Sequence, residues 1–268
     1  MRGKSRFFRE KEPVFRRFLL HFPQKLGIIF ILYAESAREE EIALELTLSH
    51  IPRDQALRYL GYGGREVPDN IQAMVDRALA ELFPLCRPRY VWRVFDLKSP
   101  GEAVLRDSGL AFPGGDVPAL LRDCGQCVLM AVTLGDAPEG LIRRTRVRSQ
   151  TRALILDACA SAACEQACDQ VQALVEAQLC PRPPYPTDRF SPGYGDLPLS
   201  LQPDILALLD APRQIGLTVT ETCLLLPRKS VTALFGLADR PQGSRVRGCA
   251  RCSLRGSCSY RKAGMRCE

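Results

Sequence analysis

The chain has 268 residues, of which 46% are hydrophobic and 25% charged. This composition is typical of a globular protein with a sizeable core, and it excludes extensive disorder. The net charge of +7, from 37 Lys+Arg against 30 Asp+Glu, is a basic excess too small to indicate nucleic-acid binding by itself.

Twelve cysteines are more than a core of this size requires. No convincing secretory signal precedes them, because the charged start is followed by Pro13 and further arginines. Reduced thiols or metal ligands are therefore expected rather than disulfides. The apolar run 26–34 has nine residues, against the roughly 20 that a spanning helix needs. We expect a cytoplasmic protein without a membrane span.

Residues 1–47 form a basic N-terminal extension with poor periodicity. The extension is predicted either as a flexible tail or as a basic arm that contacts an acidic partner. Regular patterns begin at about residue 48. Hydrophobic spacing and turn residues predict helices at about 53–60, 68–82, 149–179 and 202–209, and strands at 90–97, 126–134, 217–226 and 231–237.

These elements predict one α+β domain over residues 48–245, with a mostly antiparallel twisted sheet flanked by helices and one long central helix. The long helix contains the small-residue stretch 158–164, which allows another backbone to approach closely. Cys159, Cys164 and Cys168 on this helix are expected to pack in the core. Cys124-Gly-Gln-Cys127 runs directly into a strand, whereas a redox pair normally precedes a helix.

The loop 189–196 (RFSPGYGD) is the most informative segment of the chain, because it combines an arginine, two glycines, a tyrosine and an aspartate. Arg189 can clamp a carboxylate, and Gly193 and Gly195 expose backbone groups. Tyr194 can stack on a base or donate a hydrogen bond. From residue types alone, the loop is either a ligand-binding segment or a rigid connection without a ligand.

The segment resembles the Arg-x-Ala-Pro-Gly-Tyr element of the activation domain of cobalamin-dependent methionine synthase. The Ala-rich helix upstream and the run 217–236, with Pro227-x-Lys229-Ser230-Val231, match that context. The chain looks most like the stand-alone bacterial proteins of this family. The resemblance covers residues 48–262 and implies the activation-domain fold.

In that family the loop binds S-adenosylmethionine. The resemblance implies that Arg189 holds the methionine carboxylate, that the backbones of Ser191 and Gly193 bind its polar end or the adenine, and that Tyr194 lines the pocket. Ser191 replaces the family's alanine. The family's acidic residue on the long helix corresponds to Ser161, and Glu165 follows one turn later.

The implied function is reactivation of a cobalamin-dependent methionine synthase, or of another corrinoid protein, after its cobalt is oxidised to Co(II). The chain presents S-adenosylmethionine while an electron arrives from a donor such as a flavodoxin or ferredoxin, and methyl transfer traps the reduced cobalt. The partner holds the cobalamin. On this reading the chain is an activation component of a methyltransferase system rather than an independent catalyst.

Residues 246–268 form a cysteine-rich tail, predicted to bind zinc or an iron–sulfur cluster through Cys249, Cys252, Cys258 and Cys267. Neighbouring arginines favour thiolates. Two other readings stay open. One is a redox protein that serves a corrinoid partner and keeps only a vestigial methyl-donor pocket. The other, less favoured, is nucleic-acid binding through the arginine stretch 143–148, which lacks interleaved aromatic residues.

Overall fold

The computed structural model describes residues 44–63, 65–179, 185–242, 256–257, 259–262 and 264. The N-terminal extension up to residue 43 and the four tail cysteines lie outside these ranges. No helix within the described part of the chain is long and apolar enough to cross a membrane.

The helices are α1 (Arg53–Tyr59), α2 (Asp69–Leu82), α3 (Asp116–Leu120), α4 (Asp136–Arg148), α5 (Gln150–Leu179), α6 (Gln202–Leu208), α7 (Ala211–Ile215) and α8 (Ser259–Lys262). The strands are β1 (Leu44–Glu45), β2 (Arg89–Asp96), β3 (Cys124–Thr133), β4 (Tyr185–Pro186), β5 (Thr218–Val219), β6 (Leu225–Leu226) and β7 (Ser230–Ala238). Five strands form an antiparallel sheet in the order β1-β2-β3-β7-β4, and β5 pairs with β6 in a separate hairpin.

The sheet separates two hydrophobic cores, and alternate residues of its central strand serve each of them. Val128, Met130 and Val132 face a first core with α1, α2 and α5. Cys127 and Leu129 face a second core with α3, α6 and α7. This division follows from the alternation of side chains along a strand. Both faces of the sheet are therefore covered by helices.

Helix α5 has 30 residues and packs one face against the sheet through alanines and cysteines. Ser149 caps its start, because the Ser149 Oγ accepts a hydrogen bond from the N–H of Arg152 at 3.2 Å. A partly exposed face of the helix carries polar side chains at intervals of about one turn, namely Asp157, Ser161, Glu165 and Asp169. This polar face borders the loop 189–196.

The predicted α+β fold with a long central helix is confirmed, as are four predicted helices and three of the four predicted strands. The prediction of one strand over 217–226 is wrong. The segment forms the β5–β6 hairpin, with Cys223 in the turn at φ +61°. Helices α3, α4, α7 and α8 and the two-residue strands β1 and β4 were not predicted.

The cysteines of the described core pack as hydrophobic residues. Cys159, Cys164 and Cys168 are buried on α5, which confirms their predicted packing. Cys124 and Cys127 are buried within β3. Burial raises the pKa of Cys86 to about 11 and that of Cys159 to about 12. These thiols therefore stay protonated at neutral pH and are poor nucleophiles.

Candidate functional site

The loop 189–196 is anchored to the sheet edge by the residue that follows Arg189. Phe190 exchanges two backbone hydrogen bonds with Leu234 of β7, at 2.9 and 2.8 Å, and its ring lies in the second core. Neighbouring side chains of an extended segment point to opposite faces. Arg189 therefore points to the α5 side of the sheet.

Arg189 is held by three polar side chains on successive turns of α5. Its Nη1 donates to Asp169 Oδ1 at 2.7 Å and to Gln172 Oε1 at 3.0 Å. Its Nη2 donates to Glu165 Oε2 at 3.3 Å. The Arg189 side chain is only 8% exposed, whereas the Glu165 and Asp169 side chains remain partly open to solvent. The guanidinium is thus fixed at the junction of loop and helix.

The Arg189 guanidinium stays protonated in these surroundings. Burial acts to lower its pKa, but the neighbouring Cys168, Asp169 and Glu165 outweigh burial and raise the pKa above the ordinary value. The hydrogen bonds above use three of the five N–H donors of the guanidinium. Within the described residues, the Nε–H and one Nη2–H are left for a further acceptor.

The residues after Phe190 form an exposed turn. The Tyr194 N–H donates to the Ser191 carbonyl at 3.1 Å, and the Gly193 N–H donates to the Leu197 carbonyl at 2.9 Å. The N–H of Gly193 is therefore used by a hydrogen bond within the loop. The Ser191 carbonyl oxygen has a second lone pair that can accept another hydrogen bond. The Tyr194 side chain is 67% exposed and projects from the turn.

Asp196 fixes the far end of the loop to the start of α3. Its Oδ2 accepts hydrogen bonds from the N–H groups of Gly115 at 2.5 Å and Asp116 at 3.4 Å. Gly195 adopts φ +53°, and a side chain there would overlap the Asp116 carboxylate. The glycine is thus required by both conformation and space. The loop is a preformed structure held at both ends.

Tyr59, at the end of α1, lies near Glu165 and Tyr194. Gln55 donates to the Tyr59 hydroxyl at 2.8 Å. Burial raises the pKa of the Tyr59 phenol, and the nearby Glu165 and Tyr194 raise it further. Tyr59 is therefore near enough to Glu165 and Tyr194 to be influenced by their charges. Tyr59 was not identified from the sequence, because nothing in its local pattern connects α1 to a loop 130 residues later.

Lys229 forms a second basic contact with α5. Its Nζ lies 2.9 Å from both Asp157 Oδ1 and Ser161 Oγ, and the side chain is 14% exposed. Ser161, which the resemblance aligns with an acidic residue, thus accepts a hydrogen bond from Lys229. Glu165, one turn later, is the acidic residue that contacts Arg189.

The predicted metal ligands Cys249, Cys252, Cys258 and Cys267 lie outside the described residues. Among the residues that are described, no group of three His, Cys, Asp or Glu side chains is placed to hold a metal ion.

No protein-family model matches the sequence. No curated protein matches it either. Among solved structures, the chain is similar to the MetH reactivation domain bound to AdoHcy, with 15% sequence identity and a TM-score of 0.54. The match covers 85% of this chain and 87% of the other. The chain therefore has the fold of the MetH reactivation domain.

Proposed function

We propose that the chain binds S-adenosylmethionine at Arg189 and the loop 190–196 and thereby reactivates a cobalamin-dependent methionine synthase. The observation that carries the proposal is the fixed guanidinium of Arg189 between the carboxylates of Glu165 and Asp169. This arrangement occurs within a fold that is also found in a solved reactivation domain bound to AdoHcy.

The side chains at this place fit the methionine end of the ligand. That end is a zwitterion, which needs a donor fork for its carboxylate and an acceptor for its ammonium group. The two remaining N–H donors of Arg189 would hold the carboxylate, and Glu165 Oε2 would accept from the ammonium. The Ser191 carbonyl and the backbone of Gly193 would contact the polar end or the adenine, and the exposed ring of Tyr194 would cover the ligand.

In this function the chain binds and orients the methyl donor, and its partner holds the corrinoid. S-adenosylmethionine supplies the methyl group, and a donor such as a flavodoxin or ferredoxin supplies the electron. The chain's own contribution is proximity, because a bound methyl donor at the partner surface traps a reduced state that is otherwise unfavourable. An exposed loop suits this task better than a buried pocket, since the ligand must reach another protein.

We further propose that the reactivation domain spans residues 48–245 and that the tail 246–268 binds zinc or an iron–sulfur cluster. The support for the tail is the spacing Cys249-x2-Cys252-x5-Cys258, with Cys267 after it, among several arginines. An iron–sulfur cluster would favour a chain that also passes electrons to the corrinoid partner.

Calorimetric titration with S-adenosylmethionine and with S-adenosylhomocysteine tests the binding step. The proposal expects saturable binding of both at one site per chain. Hydrogen exchange with and without a cobalamin-loaded methionine synthase fragment from the same organism tests the docking step. Slower exchange across residues 185–200, only in the presence of the fragment, is expected. Absence of binding by the wild-type chain would overturn the ligand assignment.

A further inference from the structure

The junction of α4 and α5 carries a concentrated positive charge that the reactivation site does not use. We call Arg143, Arg144, Arg146, Arg148 and Arg228 the junction patch; all five are exposed. Arg152 nearby is paired with Glu81. Within the described part of the chain, no side chain of the junction patch forms an ion pair with a carboxylate.

A cleft of about 600 Å³ opens within this patch. Arg146 and Arg228 line it together with Gln150 and Thr151, which begin α5. The start of a long helix carries a partial positive charge, which adds to that of the two guanidinium groups. The one carboxylate in the lining, Asp157, is already paired with Lys229 at 2.9 Å. The cleft is therefore suited to a carboxylate from another molecule.

Two aliphatic side chains are exposed among these arginines. Val147 is 88% exposed and Leu154, which also lines the cleft, is 63% exposed. Arginine with apolar side chains is typical of protein interfaces, whereas single-stranded nucleic acid is held by basic grooves with aromatic residues for base stacking. The residues of the patch and the cleft lining include no aromatic side chain. The surface thus favours a protein partner with an acidic face.

The cleft lies on the same side of α5 as the Arg189 contacts. Asp157 and Glu165 are eight residues apart in the sequence, or about 12 Å along the helix at about 1.5 Å per residue. A protein interface buries roughly 800 Å² on each partner, which is large enough to include both the Arg189 contacts on Glu165 and the cleft at Asp157.

We infer that the junction patch is the docking surface for an acidic face of the corrinoid-carrying partner, with a partner carboxylate in the cleft between Arg146 and Arg228. The inference rests on the proposed function, since it identifies the partner as the protein that brings a corrinoid to the loop. Charge at such a surface mainly accelerates association and selects the partner, and it weakens with added salt.

The test compares two double charge reversals that change the net charge equally. Arg143→Glu with Arg146→Glu alters the patch. Lys98→Glu with Arg122→Glu alters exposed positions whose neighbours Leu97 and Leu121 belong to the second core. The probe is the cobalamin-loaded methionine synthase fragment, with binding measured at low and high salt. We expect the first variant to bind at least about tenfold more weakly at low salt and the second to bind as wild type.

S-adenosylmethionine binding by the same variants separates this inference from the proposed function. The inference expects both variants to bind the ligand as wild type does. If the patch variant keeps full affinity for the fragment, the inference is wrong and the proposed function stands. If the wild-type chain does not bind the fragment, both are wrong.

Equal weakening by both variants would indicate a general charge effect and would also overturn the inference. Salt-sensitive RNA binding lost only in the patch variant, with fragment binding intact, would assign the patch to nucleic acid instead.

Discussion

Nη1 of Arg189 lies 2.7 Å from Oδ1 of Asp169, which joins the loop after β4 to the middle of α5. Twenty residues separate the two in the sequence. Asp169 remains 63% exposed while Arg189 is almost buried. The contact therefore fixes the guanidinium without removing the carboxylates from water, and it leaves two N–H donors of Arg189 for a ligand.

Arg189→Ala is expected to weaken S-adenosylmethionine binding by about 2 kcal/mol or more, the scale of losing a charged hydrogen-bond partner. Calorimetry on both forms measures the change. Arg189→Lys keeps the charge but not the planar fork, so it should bind with intermediate affinity. Because Glu165 and Asp169 stay partly hydrated, both variants should remain folded.

Arg106→Ala is the matched control, because the exposed side chain of Arg106 pairs at 3.4 Å with Asp96 at the end of β2. This variant should bind the ligand as wild type. If Arg189→Ala binds equally well too, Arg189 does not hold the methionine carboxylate.

Gly195→Ala is expected to destabilise the loop by about 1–2 kcal/mol, because a side chain at positive φ is strained and would overlap the Asp116 carboxylate. Hydrogen exchange of residues 190–197 should become faster. Gly125→Ala is a suitable control, since its added methyl group meets nothing within 4 Å. Equal protection of the loop in the two variants would show that Asp116 moves aside at no cost.

The free energy of unfolding should fall as the pH rises above about 9. Burial raises the pKa of Cys86 to about 11 and of Cys159 to about 12, so these thiols ionise in the unfolded chain first. At pH values below the ordinary thiol pKa of 9.0, the stabilising contribution of each of these thiols is fully present. That contribution decreases by on the order of 1 kcal/mol per pH unit until the folded pKa is reached.

Denaturant unfolding at several pH values measures this dependence. Between pH 9 and 11, the free energy of unfolding of Cys159→Ala should fall less steeply than that of wild type, because this variant lacks one thiol with a raised pKa. An unchanged slope in that variant would mean that Cys159 is not responsible for the effect.

Elemental analysis of anaerobically purified protein should find about one zinc, or several irons, per chain. Cys252→Ser should lower that content sharply. Cys223→Ser, in the β5–β6 turn, should leave it unchanged. A metal-free wild-type chain, isolated without chelators or oxygen, would make the tail cysteines ordinary thiols.

The long elements could be predicted from the sequence because their hydrophobic patterns extend over many turns or alternations. Helix α5 and strands β2, β3 and β7 are of this kind. Helix α4 was missed because Pro138 and Gly140 indicate a loop. Pro138 lies in the first turn, where its missing N–H costs nothing. The β5–β6 hairpin was missed because its turn has neither glycine nor proline; Cys223 adopts the positive φ instead.

The site was only partly predictable. The loop 189–196 was selected as a candidate from its residue types, and the family resemblance pointed to Ser161 on α5, with Glu165 one turn later. Asp169, Gln172 and Tyr59 were not identified, because the pairing of a loop with a helix depends on tertiary packing. The spacing of Glu165, Asp169 and Gln172 along one face of α5 was a usable signal. The ligand roles of Arg189, Ser191, Gly193 and Tyr194 remain predictions.

Recovery of methionine synthase activity tests the central claim most directly. Methionine synthase from the same organism, inactivated in the Co(II) state, is supplied with a reductant and S-adenosylmethionine, and its turnover is followed with and without this chain. We expect turnover to recover only when the chain is present, and to a smaller extent with Arg189→Ala. Equal recovery without the chain would contradict the proposed function.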